Sequence, residues 1–189
     1  MSKFFDKFDL TGSTALITGG AGLLGFEHAA ALLESGASVV LTDVDEESLS
    51  TAAERLLSGA ESTRVMTHVM DVSQLSSIKG VANEIEAKEL RVDILVNNAA
   101  IDPQVKENMG MLEASRLESF PLEQWDQQLA VGLTGAFLCS QVFGSAMARD
   151  GEGRVILNIA SDLSVISPDQ RLYRRDNVAE NMQPVKPVT

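Results

Sequence analysis

The sequence predicts a doubly wound α/β domain whose parallel sheet has the strand order 3-2-1-4-5. Five short runs are apolar throughout instead of alternating, as in strands that are buried on both faces. Longer stretches with apolar residues at helical spacing separate these runs. A glycine-rich turn lies between the first strand and the first helix. Strands that alternate with helices form a parallel sheet, and right-handed crossovers set its order.

The elements follow one another with short connections until residue 100. The predicted strands are residues 14–18, 38–43, 63–72, 92–100 and 153–161, and the predicted helices are residues 25–35, 46–57, 75–88 and 122–149. Gly36 is predicted to end the first helix. Residues 101–121 form a long mixed connection. Residues 163–189 contain three prolines and no clear periodicity, so we expect one domain, 1–189, with an irregular substrate-side segment at 163–189.

Composition narrows the class of protein. The 189 residues are 44% hydrophobic and 22% charged, which is typical of a soluble globular domain. The net charge of −12 disfavours nucleic acid as a partner, although backbone amides can still bind a small anionic cofactor. The N-terminus lacks a signal-peptide pattern, and no 18 apolar residues run together, so we expect a cytoplasmic protein without a membrane segment.

Few residues are candidates for nucleophilic catalysis or metal binding. The single Cys139 lies in an apolar, helix-like stretch and is predicted to be a packed thiol rather than a nucleophile. His28 and His68 are expected to be structural. No group of His, Cys, Asp and Glu has the spacing of metal ligands, so no metal site is predicted.

The turn LITGGAGLLGFEHA joins the first strand to the first helix and is the candidate phosphate site. Gly19, Gly22 and Gly25 are spaced so that the chain turns tightly, approaches a pyrophosphate and lets the helix pack closely. The amides at the helix start, which include those of Leu23 and Leu24, supply the anion site. Tight turns also use glycine without any ligand, but the position between strand and helix favours a dinucleotide cofactor.

Acidic residues end the next two strands. Asp43 lies 18 residues after Gly25, where a carboxylate accepts the ribose hydroxyls of NAD and repels the extra phosphate of NADP. This favours NAD over NADP; the alternative is a helix cap, which Asp45 could also provide. Asp71 and Val72 end the third strand, where they could contact the adenine, but a turn-forming Asp71 is an equal alternative.

Several motifs occur together in a fixed order. They are TGGAGLLG (18–25), Asp43, DV (71–72), NNAA (97–100) and NIAS (158–161). With them the chain resembles the short-chain dehydrogenase/reductase family over roughly residues 8–162. The resemblance implies a Rossmann-like fold and an NAD(P)-dependent oxidoreductase. It also implies that Asn97 steadies the sheet, that the turn of Asn98, Ala99 and Ala100 borders the nicotinamide ribose, and that Ser161 hydrogen-bonds the substrate carbonyl or hydroxyl.

The chain departs from the family pattern at three positions. Leu23 stands where the pattern TGxxxGxG has its middle glycine, which gives the spacing TGxxGxxG of the longer sugar-nucleotide epimerase branch. Ala100 replaces the last glycine of NNAG. Gly132 stands where many members have the active-site asparagine of a proton relay, so any relay here must be supplied differently or by water.

The family's general acid is a tyrosine with a lysine four residues later. Tyr173 is the only tyrosine, but Asn177 stands at the lysine position and carries no charge to lower a phenol pKa. We therefore expect Tyr173 to be a loop or lid residue. Near it, Arg171, Arg174 and Arg175 are either surface charges or contacts for an anionic substrate group.

These observations predict the cofactor-binding part of a longer enzyme. Its fifth strand would be an uncovered apolar edge, which a longer chain or a homo-oligomeric partner would cover. The predicted function is hydride transfer between NAD(H) and a secondary alcohol or ketone, with a sugar derivative as one candidate, and this chain alone is expected to be incomplete for catalysis. The alternatives are a nucleotide-binding protein without catalysis and a sugar-nucleotide epimerase- or dehydratase-like enzyme.

Overall fold

A computed structural model describes residues 5–57, 62–101, 116–150, 153–180, 183, 185 and 186. The chain divides into two compact units. The first unit comprises Met1–Ala100 and Val131–Ile159, and the second comprises Ile101–Ala130 and Ala160–Thr189. The sheet and the predicted cofactor residues belong to the first unit, whereas Ser161 and Tyr173 belong to the second.

The first unit is built on a five-stranded parallel sheet. Its strands are β1 (Thr14–Thr18), β2 (Ser38–Asp43), β3 (Val65–Val69), β4 (Ile94–Asn97) and β5 (Val155–Asn158). Their order is β3-β2-β1-β4-β5, so the predicted doubly wound fold is confirmed. The register pairs Thr18 with Thr42 and Asn97 with Asn158, which gathers polar residues at the carboxyl edge of the sheet.

Helices follow strands β1 to β4 as predicted, with one difference in type. They are α1 (Leu23–Glu34), α2 (Glu46–Leu57), α3 (Leu75–Ala87), α4 (Leu122–Leu129), α5 (Ala136–Cys139) and α6 (Ser145–Asp150). Two π-helical turns, Ala130–Gly135 and Ser140–Gly144, separate the last three helices where one α-helix was predicted. By length and composition alone Leu122–Arg149 could span a membrane, a property that core helices of soluble proteins share.

Alternation along the strands distributes the core over both faces of the sheet. Ala15 and Ile17 of β1 pack with α1 and α2, whereas Leu16 packs with α3 and with Cys139, Phe143 and Met147. Successive side chains of a strand point to opposite faces, so a run that is apolar throughout fills both layers. This is the pattern from which a sheet covered on both faces was predicted.

Strands β3, β4 and β5 are shorter than predicted, and after β3 buried apolar residues continue past the last strand pair. Met70 and Val72 are 1% and 6% exposed although β3 ends at Val69. Their burial comes from packing against the core and not from the strand ladder. The start of α1 and its stop at Gly36 follow the prediction closely, since Gly36 adopts φ 99° and donates to Leu33 O at 3.1 Å.

Strand β5 forms one edge of the sheet. All four of its residues are exposed, with Val155 at 56% and Leu157 at 47%. The predicted uncovered apolar edge is therefore present among the described residues. An exposed apolar edge strand is a template for pairing with further chain.

The second unit contains α4 and short 3₁₀ turns. These turns are Leu117–Ser119, Asp162–Ser164 and Gln170–Tyr173. The buried side chain of Gln183 bonds to the preceding backbone: its Nε2 donates to Arg175 O at 3.0 Å and to Val178 O at 2.7 Å. Side-chain hydrogen bonds of this kind replace regular secondary structure in this segment.

Candidate functional site

The turn between β1 and α1 has a backbone that requires glycine at its first position. Gly19 adopts φ 63°, and a Cβ there would lie 2.9 Å from Ala99 Cα. The amide of Gly22 donates to Gly19 O at 3.1 Å, which closes the turn. The amide of Gly20 donates to Thr42 O at 2.9 Å and fixes the turn to β2. The tight turn expected at Gly19 is thus present and is held by backbone hydrogen bonds.

Gly25 is the position where α1 packs most closely on this turn. A Cβ at Gly25 would lie only 2.1 Å from Gly19 O and 2.9 Å from Asn98 Nδ2. Real Cβ atoms do not approach a backbone oxygen at that distance, so the turn and the helix could not both keep their places. At Gly22, in contrast, a Cβ would meet Gly19 O at 3.3 Å, which is tight but far less restrictive.

The start of α1 is an open donor site. Gly22 is the N-cap residue, no side chain caps the helix, and no acidic residue lies in its first turn. The first intrahelical amide, that of Phe26, donates to Gly22 O at 2.9 Å. The amides of Leu23, Leu24 and Gly25 therefore have no acceptor within the helix. Such amides, together with the helix dipole, bind a phosphate without any cationic side chain.

Thr18 ties the glycine turn to the end of β4, a role that sequence reasoning missed. Its Oγ1 accepts from the amides of Asn98 and Ala99, both at 3.0 Å. The side chain of Asn98 bonds to the same turn, since its Nδ2 donates to Thr18 O at 3.0 Å and to Gly19 O at 3.1 Å. The sequence feature that could have revealed this role is a threonine at the end of an apolar, buried strand. A buried hydroxyl needs hydrogen-bond partners, so such a threonine is expected to bond to a neighbouring segment. Gly19, Gly25, Asn98 and Ala99 are therefore brought together, while Ala100 is exposed.

Asp43 faces this turn from the end of β2. One of its carboxylate oxygens accepts from the amide of Ala21 at 3.3 Å, and the other accepts from Val44 at 2.8 Å. Asp45, not Asp43, caps α2 by accepting from the amides of Glu47 and Ser48. Hydrogen bonds from the Ser48 amide and hydroxyl lower the pKa of Asp45. Because Asp45 takes the capping role, the half-buried Asp43 carboxylate is left beside the glycine turn.

Asp71 forms a turn in this structure. Its Oδ1 accepts from the amide of Ser73 at 2.9 Å and from the Ser73 hydroxyl at 2.7 Å. Val72 is buried against Gly135, where an added Cβ would lie 2.8 Å from Val72 Cγ2. These contacts match the turn-forming alternative for Asp71 and leave little of Val72 exposed for an adenine ring.

A second polar network joins β4, β5 and the helical segment. Asn97 Nδ2 donates to Asn158 Oδ1 at 2.8 Å and to Ser140 Oγ at 3.1 Å. Ser140 in turn donates to Ala136 O at 2.7 Å, inside the stretch with π-helical turns. These bonds cross-link the strands at their carboxyl edge. Gly132 is exposed, and a Cβ there would meet no atom within 4 Å.

Ser161 caps a short turn in the second unit. Its Oγ accepts from the amide of Leu163 at 3.1 Å, and its hydroxyl donates towards Asp162 Oδ1 at 3.2 Å. The side chain is exposed. The amide of Leu163 holds the oxygen, while the hydroxyl proton can rotate away from Asp162 towards another acceptor. In this structure Ser161 therefore caps a turn, which is an alternative to the substrate contact that the resemblance implies.

Tyr173 ends the 3₁₀ turn Gln170–Tyr173 and is half-buried. Asn177 lies in a separate turn with φ 62°, so the two residues do not share a helix face. In the basic group, Arg171 makes a bidentate ion pair with Asp169, and Arg174 pairs with Glu180. The Arg171 hydrogen bonds lower the pKa of Asp169. Two of the three arginines therefore already have carboxylate partners.

The remaining titratable candidates are structural. Burial raises the pKa of Cys139 to about 12, so the thiol stays protonated and unreactive at neutral pH. His68 Nδ1 lies 2.7 Å from Glu84 Oε2, which links β3 to α3. Within the described part of the chain, no three His, Cys, Asp or Glu residues form a group that could hold a metal ion.

The order of the strands, the uncapped α1 and the Thr18–Asn98 contact form a candidate site for a dinucleotide. The sequence model of the short chain dehydrogenase family matches residues 13–173, most of this chain. The chain belongs to this family. A relative at 33% identity is the NAD-dependent glycerol dehydrogenase of Listeria innocua, whose match covers 90% of this chain and 61% of the relative. The family is therefore shown by sequence as well as by fold.

Two solved structures bear on the cofactor of this short-chain dehydrogenase. NAD⁺-bound xylitol dehydrogenase is 25% identical with a TM-score of 0.72, over 84% of this chain and 56% of the other. A gluconate 5-dehydrogenase from Burkholderia cenocepacia in complex with NADP and tartrate is 32% identical with a TM-score of 0.68, over 82% and 56%. The chain thus spans about three fifths of the length of these relatives. One of the two solved structures holds NAD⁺ and the other holds NADP.

Proposed function

We propose that this chain is the cofactor-binding part of an NAD-dependent dehydrogenase that oxidises or reduces a polyol or sugar-derived alcohol or ketone. Membership in the short-chain dehydrogenase family supports oxidoreduction in general. The choice of NAD and of the substrate class depends on particular residues and relatives.

The residues of the first unit fit a dinucleotide. Uncapped amides of Leu23, Leu24 and Gly25 would bind the pyrophosphate, and the turn at Gly19 allows close approach of the backbone. Asn98 would border the nicotinamide ribose, since it is fixed to Gly19 by its side chain. When bound, NAD accepts or donates the hydride. The protein holds it in place and excludes other orientations.

The observation that carries the cofactor choice is the carboxylate of Asp43 at 3.3 Å from the Ala21 amide. A carboxylate at the end of β2 beside the glycine turn accepts the two ribose hydroxyls of NAD. The 2′-phosphate of NADP would bring like charge against it at close range, which disfavours binding. Because Asp45 caps α2, Asp43 is not needed for that purpose.

The substrate class is proposed from the relatives. Their names include glycerol, xylitol and gluconate dehydrogenases, which act on polyhydroxylated small molecules. We also propose that the exposed β5 edge is covered in the working enzyme by a further segment or a partner subunit, since four exposed residues of an apolar strand favour association. A cytoplasmic enzyme is consistent with the composition.

For catalysis, we propose that Ser161 binds the substrate oxygen. Its oxygen accepts from the Leu163 amide, and its hydroxyl, which donates to Asp162 in this structure, would turn to a carbonyl that gains negative charge as hydride arrives. Tyr173 has Asn177 four residues later instead of a lysine, so we expect low turnover from the 189-residue chain by itself. The same observation favours the second candidate, a nucleotide-binding protein without catalysis.

The preference for NAD is tested by replacing Asp43. Asp43→Ala should lower the ratio of the NADP and NAD dissociation constants by about tenfold or more, the effect of removing a hydrogen bond to a charged group. The measurement is isothermal titration of the folded chain with each cofactor. Unchanged discrimination in Asp43→Ala, or tighter binding of NADP by the unmodified protein, would show that Asp43 has no such role.

Asp45→Ala is the matched control. It removes an equal charge two residues away and takes a cap from α2, so it should lower thermal stability. Its preference between NAD and NADP should stay that of the unmodified protein. A loss of preference in both variants would assign the effect to local charge or folding.

A further inference from the structure

The second unit contains three arginines close together in sequence, and two of them have carboxylate partners. Arg171 donates to both carboxylate oxygens of Asp169, at 2.9 Å and 2.7 Å. Arg174 pairs with Glu180. Within the described ranges, the exposed side chain of Arg175 makes no hydrogen bond or ion pair. Of the three arginines, only Arg175 therefore has a charge that no described residue neutralises.

The backbone at Arg175 is held by a buried glutamine. Gln183 is 7% exposed, and its Oε1 accepts from the Arg175 amide at 2.8 Å. Its Nε2 donates to Arg175 O at 3.0 Å and to Val178 O at 2.7 Å. Between these two carbonyls Asn177 adopts φ 62°, a left-handed conformation that asparagine tolerates. A buried amide with both polar atoms bonded fixes the conformation of this segment, although the segment lacks regular secondary structure.

A fixed backbone favours ligand binding by an exposed arginine. The side chain loses rotamer entropy when it binds, and a mobile backbone would add to that loss. At Arg175 only the side chain has to be ordered, because Gln183 already holds the backbone on both sides of the residue. The chain has 27 acidic and 15 basic residues, so the missing ion pair is not explained by a shortage of carboxylates. These features favour an anionic ligand at Arg175.

We propose that Arg175 binds a carboxylate of the substrate, so that the enzyme acts on a sugar acid and not on a neutral polyol. This inference rests on the proposed function, whose substrate class includes both kinds of molecule. The planar guanidinium group donates two parallel hydrogen bonds to a carboxylate. Its single positive charge matches a carboxylate rather than a doubly charged phosphate group. Ser161, the proposed donor to the substrate oxygen, belongs to the same unit as Arg175.

The test is titration of the ¹⁵N-labelled 189-residue chain with D-gluconate and with D-glucitol, followed by amide and arginine Nε–H chemical shifts. The two ligands differ at one end, where gluconate has a carboxylate and glucitol has a hydroxymethyl group. Gluconate should bind about tenfold or more tightly, the effect of a hydrogen bond to a charged group, and should shift the Arg175 Nε–H signal. Arg175→Gln should make the two affinities nearly equal.

Arg174→Gln is the matched control, because it makes the same change at the adjacent residue, whose guanidinium pairs with Glu180. It should keep the preference for gluconate. Gln183→Met removes the hydrogen bonds to the Arg175 backbone and leaves Arg175 in the chain. It should weaken gluconate binding and leave glucitol binding unchanged. Circular dichroism checks that each variant is folded.

Several outcomes would overturn the role of Arg175. They are no binding of gluconate, equal affinities for gluconate and glucitol in the unmodified chain, equal losses in Arg174→Gln and Arg175→Gln, or tighter binding of glucitol 6-phosphate than of gluconate. Failure of the proposed function has a different outcome, because the unmodified chain would then not bind NAD in a parallel titration. Arg175→Gln should keep its NAD affinity, since the residues proposed to bind NAD belong to the first unit.

Discussion

Substitution of Gly25 by alanine is expected to abolish measurable NAD binding and to destabilise the fold. The added Cβ would lie 2.1 Å from Gly19 O, so the start of α1, whose amides are proposed to bind the pyrophosphate, must move away from the turn. Overpacking of this kind costs about 1–3 kcal/mol of folding free energy. The measurements are NAD titration and thermal unfolding. Affinity equal to that of the unmodified protein would show that the close contact is not needed for binding.

Gly80→Ala is the control for that substitution. Gly80 lies inside α3, and a Cβ there would meet no atom within 4 Å. Alanine in a helix interior is more favourable than glycine by about 1 kcal/mol, so this variant should be more stable and bind NAD as before. Opposite changes in the two variants separate the site effect from any general response to a glycine replacement.

Ser161→Ala is expected to lower turnover by about 100-fold or more while NAD affinity stays nearly constant, as with the loss of an oxyanion donor. The experiment needs a form of the protein with measurable alcohol oxidation, whether this chain or a longer one. Ser161→Thr keeps the hydroxyl and should retain much of the rate. Steady-state kinetics with both variants gives the comparison.

The rival role of Ser161 has a different outcome. If the serine only caps the turn Asp162–Ser164, alanine should leave turnover unchanged and reduce stability by about 1 kcal/mol. That result would remove Ser161 from the active site. It would leave the cofactor site untouched, because none of the contacts among Gly19, Gly25 and Asn98 involves Ser161.

The sheet could be predicted because burial on both faces leaves a direct trace in sequence. Runs such as TALIT are buried at every position and have consecutive apolar residues at their centre, and all five predicted strands are present in the expected order. Their ends could not be predicted as well, since Met70 and Val72 are buried by packing after β3 has ended. The π-helical turns around Ala136–Cys139 were also missed, because their apolar spacing resembles that of an α-helix.

The site was predictable where the backbone itself demands a residue type. Gly19 and Gly25 are needed for a positive φ and for close packing, respectively, and spacing alone identified both. Side-chain hydrogen bonds were not predictable to the same degree. From the sequence, Asp71 could equally contact the adenine or form a turn, and the structure shows the turn. No role was predicted for Thr18, whose hydroxyl links β1 to the Asn98 turn. Such choices depend on which groups meet in space.

The most direct test of the central claim is an amide spectrum of the ¹⁵N-labelled chain recorded during titration with NAD. We predict the largest chemical-shift changes at the amides of Leu23, Leu24 and Gly25, whose uncapped donors are proposed to bind the pyrophosphate. Smaller changes should occur at Asn98, and Gly25→Ala should remove all of them. Unchanged amides from residue 19 to 25 at saturating NAD would contradict this proposal.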